Sequence, residues 1–204
     1  MYGFIRFMIG CVFLAACVAG IKKFAKVRKR WWYIALSGLA AILVVGLHFF
    51  PLENLFVTFH SPKAAYEYFC FGKSNIELVV EGAHCDFVVD RKNDADNYLL
   101  IPKTADGWKV GIGSDMKWVV HQYFKGTVIY VYQYKDTSDY FITILDTNGG
   151  ESTISDEYNS KFFSLERYND SLGKNFVTYY ASIPNFNSQY SVTINNTEMV
   201  LKSQ

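Results

Sequence analysis

The chain has 204 residues, a formal net charge of +1, 50% hydrophobic residues and 19% charged ones. The average hides a division: residues 1–51 carry seven basic and no acidic side chains, whereas residues 52–204 carry 13 basic and 19 acidic ones. That division excludes a uniformly polar globule and a multi-span transporter, and it leaves a second segment long enough to bury its own core.

The first predicted element is the apolar run Phe7–Ile21, whose 15 residues rise about 22 Å as a helix. It reaches a bilayer's thickness only if Met1–Arg6 extends it with Arg6 at the headgroups; otherwise it lies on the inner surface. Leu14-Ala15-Ala16-Cys17 matches the short pattern before a lipidated cysteine, but cleavage there would strand six basic residues outside, so the match reads as coincidence. The second element, Trp31–Leu52, has 22 uncharged residues and rises about 33 Å, against a hydrocarbon core of about 30 Å. Trp31, Trp32 and Tyr33 have the character of interfacial anchors. Ala15 with Ala19, Ala16 with Gly20 and Ser37 with Ala41 pair small residues at helix-face spacing, which permits close helix contact. The basic stretch 22–30 between the runs is expected in the cytoplasm by the positive-inside rule rather than on nucleic acid. Residues 1–52 therefore predict a transmembrane helical hairpin. It places the chain in a cell membrane with its C-terminal part on the extracytoplasmic side.

After a linker at 53–60, residues 61–117 predict an α+β module. Ser61 can cap a helix whose first position Pro62 suits, and Tyr66, Phe69 and Cys70 share its apolar face. Ile76, Leu78 and Val80 alternate with Glu77, Val79 and Glu81, a half-buried strand, and after the turn at Gly82 Cys85, Phe87 and Val89 alternate with His84, Val88 and the acids Asp86 and Asp90. Strands at Tyr98–Lys103 and Trp108–Ile112 flank the hairpin turn Ala105-Asp106-Gly107. A helix followed by four meandering strands resembles the cystatin-like arrangement. From 118 to 204 helix signals stop. Seven short strands, at Val119–Phe124, Thr127–Tyr134, Tyr140–Leu145, Ser160–Leu165, Phe176–Ile183, Tyr190–Asn195 and Met199–Leu201, suit an immunoglobulin-like β-sandwich lacking the antibody cysteine pair and tryptophan.

Pro51-Leu52-Glu53-Asn54-Leu55-Phe56, then Phe59-His60-Ser61-Pro62 and the Asp106-Gly107-Trp108-Lys109 hairpin, resemble uncharacterised membrane-anchored proteins of Gram-positive bacteria. The resemblance covers roughly the first half of the chain and implies an anchored, exported β-rich region. It implies no activity and transfers no catalytic residue.

Cys70, on the expected inner helix face, and Cys85, on the sheet face expected to receive it, could form a disulfide or remain two buried thiols. His84-Cys85-Asp86 cannot present all three side chains to one metal ion, because neighbours on a strand point to opposite faces. Asp86 with Asp90 and Glu77 with Glu81 read as solvated strand faces, Asp94 and Asp96 as turn residues. Asp156 with Glu157 falls on a loop without the oxygen spacing of a calcium site. No nucleophile elbow, phosphate loop or dinucleotide fingerprint is present, so neither a catalytic residue nor a cofactor is expected. Tyr130, Tyr132 and Tyr134 line one strand face, which is either core or an aromatic platform for a glycan, peptide or partner domain.

The expected function is a membrane-anchored extracytoplasmic binding or scaffolding protein, or an accessory subunit of a membrane complex. The expected partners are the lipid bilayer and a membrane or cell-wall protein or glycan. An envelope hydrolase or transferase is the alternative, and a sensor signalling through its helices is a third.

Overall fold

The computed structural model describes residues 2–24, 30–49, 51–70, 74–92, 95–148, 150–169 and 173–203. Most of the basic stretch 22–30, namely residues 25–29, lies outside the described residues, as does Asp94. Among the described residues three α-helices come first: α1 (Tyr2–Phe24), α2 (Arg30–Phe49) and α3 (Pro62–Phe69). Twelve strands follow: β1 (Ile76–Glu81), β2 (Cys85–Lys92), β3 (Ala95–Thr104), β4 (Gly107–Trp108), β5 (Met116–Phe124), β6 (Thr127–Tyr134), β7 (Tyr140–Asp146), β8 (Ile154–Asp156), β9 (Phe163–Asn169), β10 (Lys174–Ile183), β11 (Ser191–Ile194) and β12 (Thr197–Val200).

The expected membrane anchor is overturned. Among the described residues, no helix is long and apolar enough to cross a membrane. Arg6 and the Lys22–Lys23 pair confine the uncharged part of α1 to 15 residues, about 22 Å of rise. In α2 the run free of aromatic, charged and imidazole side chains is Ile34–Leu47, about 21 Å, and only its flanks brought the sequence estimate to the bilayer's thickness. The two N-terminal transmembrane helices, the membrane location and the extracytoplasmic placement are corrected accordingly. Trp31 and Trp32 are exposed on α2. Both helices also expose aliphatic side chains, among them Ile9, Val12, Leu39 and Ile42.

The remainder is a stack of one helix and three antiparallel sheets, ordered β1-β2-β3-β4, β5-β6-β7-β10-β9 and β12-β11-β8. Helix α3 starts where local chemistry dictates: the Ala64 N–H donates to the Ser61 Oγ at 3.1 Å, and Pro62 occupies the first turn. Ala65 and Tyr66 on its inner face bury against Val88, Leu99 and Ile101 of the four-stranded sheet. The opposite face of that sheet, with Val80, Cys85, Phe87, Val89 and Leu100, packs on Tyr132, Phe141 and Tyr180 of the five-stranded sheet. Phe87, almost wholly buried, stacks 5.4 Å from Phe141 and 5.8 Å from Tyr132. Each such aromatic pair adds about 0.5–1.5 kcal/mol beyond the area it buries. The third layer forms where Val120, Ile129, Val131, Ile142 and Ile144 meet Val192, Ile194 and Leu201.

Strand β2 is therefore buried on both sides, contrary to the half-solvated strand expected. Asp86 is 1% exposed and Asp90 3%. Asp86 accepts from Trp108 Nε1 at 2.5 Å and pairs with Lys103 at 3.6 Å. Asp90 accepts from the Tyr66 hydroxyl at 3.1 Å and from the Asn75 N–H at 2.5 Å. Beyond Trp108 the expected fourth strand stops early, because the Asn54 side chain pairs with both backbone groups of Val110.

Setting β5 aside, β6-β7-β10-β9 facing β8-β11-β12 is the strand order of a constant-type immunoglobulin sandwich. Tyr190, at the entry to β11, is fully buried and donates to the Asp156 carboxylate at 2.8 Å, a corner tyrosine tied to a side chain instead of the backbone. Two hairpins close on two-residue loops in left-handed backbone. Lys125-Gly126 has φ 45° and 81°, and Asn195-Asn196 has φ 48° and 61°.

Candidate functional site

The expected tyrosine face divides when placed in the stack. Tyr132 and Tyr134 are 3% and 7% exposed and belong to the core between the two larger sheets. Tyr130 on the same strand sits only partly buried, at the margin of that core. There it meets residues of β5. The pairing of β5 with β6 shifts between Trp118 and Val120, so Trp118 faces Tyr132 and His121 faces Tyr130 across the ladder. A bulge adds one residue to β5 and thereby puts Trp118, His121 and Tyr123 on one face, which strict alternation would have split.

The result is an aromatic surface on an edge strand. The His121 ring stacks on Tyr130 with centroids 4.7 Å apart and planes 13° from parallel. Tyr123 lies 4.8 Å from His121, and Trp118 meets Tyr130 edge-on at 5.7 Å. Trp118 and Tyr123 are 59% and 70% exposed. Large aromatic side chains so arranged are held by their neighbours while leaving ring faces to solvent, which lowers the entropy cost of ordering them on contact.

Tyr130 also forms one wall of a cavity of about 180 Å³ between β3 and the five-stranded sheet. Its other walls include Tyr98, Thr143, Thr178, Asp96 and Arg167. Arg167 is 7% exposed and donates from Nε and Nη2 to Asp96 Oδ1 at 3.1 and 3.0 Å, and from Nη2 to Glu77 at 2.5 Å. Burial by itself would lower the Arg167 pKa, but the Asp96 and Glu77 carboxylates outweigh it and raise it above the usual value. Asp96 Oδ2 accepts from the Tyr180 hydroxyl at 3.2 Å. Burial raises the Tyr98 and Tyr130 phenols above their ordinary range, so both remain protonated donors at neutral pH.

A second polar junction ties the sheets together away from the aromatic surface. Asp139, 4% exposed, accepts from the backbone N–H groups of Ala83, His84 and Cys85 at 3.2, 2.5 and 2.9 Å, and contacts His84 Nδ1 at 3.2 Å. Burial pushes this carboxyl up, but the His84 and Cys85 hydrogen bonds more than offset it and hold the pKa below the ordinary value. Cys85 lies beside this junction, and no disulfide joins it to Cys70. The expectation that Cys85 faces the helix is corrected, because Cys85 points toward the five-stranded sheet while Cys70 packs on the α3 side. Burial also raises the Cys85 thiol, and Asp139 adds to the effect.

Among the described residues, no group of three or more His, Cys, Asp or Glu side chains is placed to hold a metal ion. Sequence reasoning missed Trp118, His121 and Tyr123 as a group, and Thr143 and Arg167 entirely. The usable signal was the Trp-x-x-His-x-Tyr string, recognisable only once a bulge is allowed for. No family model matches the chain, and no curated protein or solved structure matches it.

Proposed function

We propose that this protein is a non-catalytic binding protein whose β5–β6 aromatic surface holds a glycan chain. The observation that carries the reading is the pair of exposed rings, Trp118 and Tyr123, braced by His121 and Tyr130 on one sheet edge. Solvent-facing positions of an antiparallel sheet are ordinarily polar, so rings there mark a contact surface. Sugar rings present apolar C–H faces that stack on aromatic planes, with hydroxyls at the rim for polar neighbours. The commitments of the buried carboxylates support binding over acid–base chemistry: Asp86, Asp90, Asp96, Asp139 and Asp156 each accept hydrogen bonds that fasten one element to another.

The test is retention of the full-length chain on particles of purified peptidoglycan, chitin and cellulose, with Trp118→Ala and Tyr123→Ala as variants. Both positions are exposed, so the fold tolerates the changes within about 0.5 kcal/mol. The wild type is expected to be retained on at least one of these, with Trp118→Ala weakening retention at least tenfold. Failure of the wild type on all three, or retention unchanged in both variants, overturns the reading.

A further inference from the structure

Building on the glycan-binding reading, we propose that the cavity beside Tyr130 is a subsite for one neutral sugar ring, with the Thr143 hydroxyl as a recognition group. Three observations converge. The first is size: about 180 Å³ is below the roughly 300 Å³ at which pockets for drug-sized ligands begin, and it matches a ligand of a single ring. The second is charge. Arg167 faces two carboxylates, Asp96 and Glu77, and both oxygens of Asp96 already accept hydrogen bonds. An anion would meet that excess of negative charge, and a cation would find the Asp96 carboxylate engaged. Hydroxyl-bearing side chains, Thr143, Thr178, Tyr98 and Tyr130, make up most of the other polar wall.

The third observation is Thr143 itself. It is 2% exposed, it lines the cavity, and its Oγ1 has no hydrogen-bond partner. A buried hydroxyl without a partner costs free energy that the fold recovers only when something bonds to it. Thr143 sits directly across the β6–β7 ladder from Tyr130, so a ring entering beneath the Tyr130 plane arrives over this hydroxyl. The subsite is therefore continuous with the aromatic surface: a chain lying across Trp118 and His121 can turn its terminal residue inward at Tyr130.

The experiment titrates the full-length chain separately with glucose, galactose and N-acetylglucosamine, followed by ligand-observed saturation-transfer NMR, for the wild type and Thr143→Val. Valine keeps the shape and removes the unpartnered hydroxyl, so the variant should unfold at the same temperature as the wild type or higher. At least one sugar is expected to bind with a Kd on the order of 1 mM, and Thr143→Val is expected to weaken it at least tenfold. If the wild type binds none of the three yet is retained on polysaccharide particles, the subsite is refuted and the aromatic surface stands. If it shows neither, both fall. Equal sugar affinity in Thr143→Val with unchanged stability also refutes the subsite.

Discussion

Replacing Asp139 by alanine isolates the junction between the four-stranded and five-stranded sheets. The carboxylate is a lone acceptor for three consecutive backbone N–H groups at the β1–β2 turn. Ala83 and His84 are exposed residues whose N–H groups can rebond to water, whereas Cys85 is fully buried and cannot. Hydrogen bonds to a charged acceptor contribute about 1.5–3 kcal/mol, and a stranded buried donor costs about 1–3 kcal/mol. The sum expected for Asp139→Ala is about 2.5–6 kcal/mol, a large share of the roughly 5–15 kcal/mol that holds a typical domain folded. Urea unfolding followed by tryptophan fluorescence reads this as a lower midpoint at unchanged slope. The same carboxyl also predicts an acid dependence. Its folded pKa lies below the unfolded value of about 3.9, so its stabilisation is complete above that value and is lost as pH falls through the folded pKa. Wild type should therefore lose stability more steeply than Asp139→Ala below about pH 4. A loss under about 1 kcal/mol at neutral pH, or parallel acid profiles, would refute the pinning role.

Three further outcomes follow from the same packing. Gly82→Ala places a Cβ 2.4 Å from the Cys85 carbonyl oxygen and 2.8 Å from the Phe141 ring, and should destabilise by about 1–3 kcal/mol in the same urea assay. Arg167→Met leaves Asp96 and Glu77 facing each other without their cation, and should cost about 3–5 kcal/mol; the double change with Asp96→Asn should recover part of it, as a double-mutant cycle would show. Native protein should leave Cys85 unlabelled by a thiol reagent that reacts after denaturation, and it should migrate identically with and without reductant; a reductant-dependent shift would restore the Cys70–Cys85 bridge.

Features governed by near neighbours were legible in the sequence. Ser61 and Pro62 mark the start of α3 because the cap and the first turn need only four residues of context. The alternation of Ile129 and Val131 with Tyr130 and Tyr132 likewise marks β6 and its two faces. What covers each face was not legible. Asp86 and Asp90 look like the wet side of a strand until Tyr66, Trp108 and Lys103 arrive from other elements to satisfy them. Asp139 reads as one more turn residue, since the backbone groups it serves lie 54 to 56 positions earlier. For α1 and α2 the error had the opposite form. Hydropathy located the helices, but the extent of each apolar run depended on how aromatic and charged flanks were counted.

The aromatic surface follows from how the sheets cover one another. Phe87 reaches Tyr132 on β6, Phe141 on β7 and Tyr180 on β10, so the four-stranded sheet closes over the middle of the five-stranded one. Trp118 and Tyr123 on the edge strand β5 remain exposed beside that closure. An edge left bare is ordinarily made safe by charges or by a bulge that breaks further pairing. This edge uses the bulge and yet keeps its rings. The shift at Val119 disturbs the ladder that another strand would need, and the same shift aligns Trp118 with His121. One irregularity thus discourages strand addition while gathering aromatic side chains on one face. The rings brace one another at ordinary packing distances, His121 and Trp118 against Tyr130 across the ladder at 4.7 and 5.7 Å and Tyr123 against His121 at 4.8 Å, while Trp118 and Tyr123 keep most of their area exposed.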